Sequence, residues 1–99
     1  MEKIFRQYPA GVPASRRALA GVVGSGDLEV LLEPNGAGTT TIAVNTSVNG
    51  KGPVWIAVLD RLFAGADLPA ARIEINDCGA TPGVVRMRIE QALEEARQP

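Results

Sequence analysis

The sequence predicts an α+β fold: a mainly antiparallel sheet of four to five strands, with two helices packed on one face. Three observations carry that prediction. Apolar residues alternate with polar ones in several short segments, the period then lengthens to that of a helix, returns to that of a strand, and ends in a second helical stripe. Clusters of glycine, asparagine and proline separate the segments. With 99 residues there is room for one core and little room for a deep enclosed substrate cleft.

Residues 1–14 contain Pro9, Gly11 and Pro13 and show no periodicity, so they read as an extended N-terminal arm with little secondary structure, leading into a single domain over 15–99. From Arg16 the segment RRALAGVVG reads as a strand. In the next strand Leu28, Val30 and Leu32 alternate with Asp27, Glu29 and Leu31, and the two are joined at Gly24-Ser25-Gly26. The turn cluster Pro34-Asn35-Gly36-Ala37-Gly38 predicts another hairpin, because Asn and Gly tolerate positive φ. It leads into a third strand over 40–47 with Ile42, Val44 and Thr46 on one face. Three consecutive antiparallel strands would form a meander.

Pro53 suits a first helical turn, and Val54, Trp55, Val58, Leu59, Leu62 and Phe63 follow as one helical stripe that reads as core, closed by Gly65. Ile73 and Ile75 alternate with Arg72, Glu74 and Asn76 in a fourth strand. Thr81-Pro82 resembles a helix start, and Val85, Ile89, Ala92, Leu93 and Ala96 form the stripe of a second helix. Val85, Met87 and Ile89 also alternate with Arg86, Arg88 and Glu90, so residues 84–90 read as a fifth strand as well.

A hydrophobic content of 45% with 21% charged residues is that of an ordinary folded domain. No apolar run approaches a membrane span, and the N-terminus lacks the apolar region of a secretory signal, which makes the cytoplasm the expected compartment. The one cysteine, Cys78, cannot form an intrachain disulfide or a cysteine metal cage. There is no histidine, which excludes histidine-based triads and most transition-metal sites. Net charge is −1. Lys3, Arg6, Arg16 and Arg17 outnumber Glu2 near the N-terminus, and without interleaved aromatics they read as a partner-facing arm rather than a nucleic-acid site. Glu90, Glu94 and Glu95 lie at helical spacings from Arg86, Arg88 and Arg97, which reads as an exposed salt-bridged face and not as an acid/base pair. No catalytic residue and no metal ligand is nominated.

The one candidate for chemistry is Ser25, with Gly24, Gly26 and Asp27 flanking it. A serine between two glycines has no neighbouring side chain to shield its hydroxyl, so a large group can be attached there. Local sequence by itself favours a plain turn, since Gly-Ser-Gly-Asp is ordinary hairpin chemistry. The residues argue against a hydrolase nucleophile, because the elbow motif places its glycines two residues away and no histidine is present to activate the hydroxyl. A phosphate loop is excluded because no Gly-Lys-Ser or Gly-Lys-Thr ending follows. The loop from Asn76 to Gly83 is a second candidate surface, although Asp77 and Thr81 there suit local backbone donors and Cys78 suits the packing of a strand end.

The stretch from Ala20 to Pro34, AGVVGSGDLEVLLEP, resembles the segment around the modified serine of malonate decarboxylase acyl carrier (delta) subunits. Thr46 to Gly50 and Ala70 to Arg86 are similar to that family too, so the resemblance runs from about Tyr8 over nearly the whole chain. It implies an acyl carrier domain in which Ser25 is linked by a phosphodiester to 2'-(5''-phosphoribosyl)-3'-dephospho-CoA, whose thiol carries acetyl and malonyl groups. Implied partners are the acyltransferase and decarboxylase subunits of malonate decarboxylase, a dedicated phosphoribosyl-dephospho-CoA transferase and a malonyl-loading acyltransferase, with neither nucleic acid nor membrane. The carrier itself would be non-catalytic. The citrate lyase acyl carrier (gamma) subunit is a more distant likeness, and a scaffold or regulatory module with no covalent group is the competing reading.

Overall fold

The computed structural model describes residues 1–99. Its elements run β1 (Glu2–Pro9), β2 (Ala18–Gly21), β3 (Asp27–Pro34), β4 (Thr39–Thr46), α1 (Gly52–Phe63), β5 (Ala71–Cys78) and α2 (Pro82–Ala96). The expected α+β architecture is borne out: one five-stranded sheet in the order β1-β4-β5-β3-β2, antiparallel at every pairing except β4 with β5. Parallel neighbours cannot be joined by a tight turn, and α1 supplies the crossover between them.

Alternation decides which face is covered. Leu28, Val30 and Leu32 of β3, Ile42 and Val44 of β4, and Ile73 and Ile75 of β5 are all buried on one side, in register with one another. Trp55, Leu59 and Phe63 of α1 and Val85, Ile89, Ala92, Leu93 and Ala96 of α2 pack against them. Both helices therefore lie on the same side of the sheet, as expected. Two inward threonines are themselves satisfied: the Thr40 hydroxyl donates to the Pro69 carbonyl at 2.6 Å and that of Thr46 to Asp77 Oδ2 at 2.8 Å.

Two expectations are corrected, and one open alternative is decided. The meander is absent, because β5 lies between β3 and β4. The turn after Pro34 does reverse the chain, but it passes over the start of β5 to reach β4. Two strand spacings amount to about 10 Å, a gap that four connecting residues cross easily. Asn35 holds the bridge, donating from its backbone to the Ala70 carbonyl at 3.3 Å and accepting from the Ala37 N–H at 2.9 Å. Secondly, the choice between helix and strand over residues 84–90 falls to helix, with the Thr81 side chain accepting from the Val84 N–H as N-cap.

Thirdly, the segment read as an arm forms β1, an edge strand paired along its whole length with β4. Its inward residues are Glu2, Ile4, Arg6 and Tyr8, a mixture that hides the period of two. Polar atoms fasten this edge to α1: one Arg6 guanidinium nitrogen donates to both Asp60 carboxylate oxygens at 2.8 and 3.1 Å, and the Tyr8 hydroxyl donates to Asp60 Oδ1 at 2.6 Å. The Tyr8 ring stacks on Phe63 with centroids 5.5 Å apart. Bonds from Tyr8 and then Arg6 hold the Asp60 carboxyl below its ordinary value, while burial pushes the Tyr8 hydroxyl up.

Phe63 is 1% exposed at the centre of these contacts. Phe63→Ala is expected to cost about 3–5 kcal/mol of stability in urea unfolding. A carboxyl whose folded-state pKa lies below its ordinary value of 3.8 stabilises the fold above that value and ceases to do so as pH falls through the lower one. Asp60→Asn therefore lowers the urea midpoint at about pH 7 and reduces the further drop seen on going to about pH 3; an unchanged pH profile would show that the Asp60 contacts do not stabilise the fold.

Candidate functional site

Ser25 occupies the second position of a four-residue turn that joins β2 to β3. The Asp27 N–H donates to the Gly24 carbonyl at 2.9 Å, closing the turn, and Gly26 at the third position has φ +77°. A side chain is strained there, which is why glycine follows the serine. The Gly26 N–H donates to the Cys78 carbonyl at 2.8 Å, so the turn is tied to the end of β5. Ser25 and Gly26 are exposed. A Cβ built on Gly26 would meet nothing within 4 Å, and one on Gly24 would meet only the Val22 side chain at 3.8 Å. Ser25 is thus exposed, with open space at the glycine on either side.

Beneath this open turn the chain is braced. Asp27 Oδ1 accepts from the Leu28 N–H at 2.7 Å and from Arg88 Nε at 3.1 Å, and Oδ2 accepts from an Arg88 terminal nitrogen at 2.8 Å. This forked pair has side-chain exposures of 26% and 19%, the least exposed ion pair of the fold. The Arg88 bond is the main cause that holds the Asp27 carboxyl below its ordinary value. Gly21 makes room for the arrangement: it has φ +78°, and a Cβ there would lie 2.0 Å from the Leu28 carbonyl and 3.2 Å from the Arg88 side chain.

Arg88 is the site residue that sequence reasoning missed, having been placed on a solvated face. Its partner is 61 positions away, which no local pattern reports. The available signal was positional: Arg88 stands three residues after Val85 and four before Ala92, at the border of the buried stripe. Arg86 does follow the expectation, pairing with Glu90 at i,i+4.

The loops after β4 and β5 lie at the same end of the sheet as Ser25, because Asp27 pairs with Cys78 and Thr46 with Asp77. Asp77 organises them. Its Oδ2 accepts from the Thr46 hydroxyl and, at 3.3 Å, from the Gly79 N–H, while its Oδ1 accepts from the Ala80 N–H at 2.9 Å. The carboxylate thus satisfies local donors, and Cys78 ends the strand as a free thiol. Arg17 lies at the opposite end, where it pairs with Glu33. The basic pair Arg16-Arg17 thus sits apart from Ser25, since β2 runs away from it toward the turn.

No group of three or more His, Cys, Asp or Glu side chains is placed to hold a metal, and no helix is long and apolar enough to cross a membrane. The chain has no histidine to activate Ser25. What the arrangement offers is an accessible alcohol on a fixed turn. A phosphodiester-linked group of CoA size fits that geometry, because neither flanking residue carries a side chain to collide with it.

Comparison with known proteins agrees with the resemblance seen in the sequence. A family model described as malonate decarboxylase delta subunit (MdcD) matches residues 15–96. The chain is similar to the malonate decarboxylase acyl carrier protein of Pseudomonas paraeruginosa, with 64% identity over 96 residues covering 97% of both chains. It is also similar to that of Azotobacter vinelandii, with 59% identity over 95 residues covering 96% of both. Among solved structures it matches a chain in the crystal structure of a Pseudomonas malonate decarboxylase hetero-tetramer in complex with malonate. The TM-score there is 0.92 at 55% identity, covering 97% of this chain and 99% of the other.

The brace beneath Ser25 makes a testable demand on Gly21. Gly21→Ala combines a strained φ with a backbone collision, and is expected to cost at least about 1–3 kcal/mol in chemical unfolding. Gly38→Ala, where φ is +70° but a Cβ meets nothing within 4 Å, should cost less; equal losses would mean that the contact with Leu28 and Arg88 is unimportant.

Proposed function

This chain belongs to the malonate decarboxylase delta-subunit family, and from that membership we propose that it is the acyl carrier of a cytoplasmic malonate decarboxylase complex, with Ser25 as the attachment point of 2'-(5''-phosphoribosyl)-3'-dephospho-CoA. The observation that carries the proposal is the family match over residues 15–96, and the exposed serine between two glycines with space on either side is compatible with it. When bound, the group supplies a terminal thiol on which acetyl and malonyl units travel as thioesters. The chain's own residues attach and position. Ser25 provides the linking oxygen, Gly24 and Gly26 keep its surroundings open, and Asp27 with Arg88 fixes the base of the turn to α2.

The carrier is non-catalytic in this reading. It delivers the acyl unit to an acyltransferase subunit for exchange of acetyl by malonyl and to a decarboxylase subunit for loss of CO2. A tether of this length raises the local concentration of the acyl unit at each site without any catalytic group on the carrier. A dedicated phosphoribosyl-dephospho-CoA transferase installs the group, since the β-turn around Ser25 differs from the helix start that an ordinary phosphopantetheinyl transferase reads.

Ser25→Ala should leave the melting temperature unchanged, because the side chain is exposed. In a complex assembled with that variant, malonate-dependent CO2 release should fall to background. Release at the wild-type rate would remove Ser25 from the reaction and favour a scaffold role.

A further inference from the structure

Next to the Ser25 turn lies a cleft of about 280 Å³ between the first turns of α1 and α2, floored by the loops that follow β4 and β5. Val48, Val54, Trp55, Val58, Ala80 and Val85 give it mostly apolar walls. Its polar members are Lys51, which forms no ion pair, and Asp77, whose oxygens are already engaged by Thr46, Gly79 and Ala80. Gly79 lines the cleft and directly follows Cys78, whose carbonyl holds Gly26 at 2.8 Å, so the cleft opens within a residue or two of the attachment point.

We propose that this cleft seats the adenine of the prosthetic group, leaving the thiol end free to move. The inference rests on Ser25 being the attachment site. Counting outward from the serine oxygen, the group presents a phosphate, a ribose and then adenosine, with the diphosphate and the pantetheine segment only beyond. Adenine is therefore the first flat, weakly polar part, separated from Ser25 by a phosphate and two pentoses. Purine faces gain by leaving water for aliphatic and aromatic walls. The volume lies just under the range of about 300–1,000 Å³ typical of sites that enclose whole drug-sized ligands, so it suits one base and not the entire group. Lys51 stands on the rim as the unpaired cation available to the neighbouring phosphates. A seated base shortens the free arm to the portion beyond the diphosphate and gives it a defined origin.

The test compares methyl spectra of the unmodified and the loaded full-length chain, with the mass increment confirming the loaded one. Purine ring currents should move the methyls of Val48, Val54, Val58 and Val85 upfield, with cross-relaxation from the adenine H2 or H8 protons, while Val12, remote from the cleft, stays in place. Val54 is 46% exposed, so Val54→Glu should keep the fold and the mass increment but lose those shifts. A loaded chain whose cleft methyls do not move would overturn the proposal, as would one whose contacts come from the pantetheine gem-dimethyl group. A chain from a loading-competent host with no added mass would overturn the attachment reading, and this one with it.

Discussion

The position of β5 at the centre of the sheet is the constraint on which the rest depends. It is buried along one face from Ala71 to Asp77 and bonded on both edges, parallel to β4 and antiparallel to β3. Because β4 and β5 run the same way, α1 must cross between them, and α2 follows immediately after β5. That topology brings the start of both helices to the end of the sheet where Ser25 lies. The last residues of β5 then act as a hub: the Cys78 carbonyl holds the Gly26 amide, and the Asp77 carboxylate holds the loops on either side.

A carrier has two opposed requirements at its attachment point. With Ser25 as the proposed attachment point, the hydroxyl has to be open to the enzyme that would modify it, yet the backbone that bears it has to keep one conformation. The turn separates these demands by depth. Its outer residues, Gly24 to Gly26, carry almost no side chain, while the layer below contains the Asp27–Arg88 pair and the close approach of Gly21 to Leu28. Partly buried and forked, that pair resists screening better than the exposed pairs Arg17–Glu33 and Arg72–Glu33 at the other end of the sheet.

Much of this could be read from the sequence wherever the determinant was local. The alternation through Leu28, Val30 and Leu32, the stripe of Trp55, Leu59 and Phe63, and the Thr81-Pro82 helix start all reflect a period or a cap within one segment, and each appears where expected. The expectations that failed depended on long-range pairing. A turn signal at Asn35 reports reversal but not whether another strand slips in between, so the insertion of β5 left no mark there. The first strand was hidden because Glu2 and Arg6 share its inward face with Ile4 and Tyr8, which an edge strand allows when its polar groups reach partners such as Asp60 and the Gly50 amide. Arg88 was misplaced for the same reason, its partner being distant in sequence but adjacent in space. Ser25 itself is marked by its glycines, although the role proposed for it rests on the family likeness and not on the turn chemistry.

Whether Ser25 bears the prosthetic group is read by peptide mapping, with mass spectrometry, of this chain taken from its native complex. One phosphoribosyl-dephospho-CoA increment is expected, confined to the fragment that contains Ser25. An unmodified Ser25 fragment from a complex that actively decarboxylates malonate would contradict it.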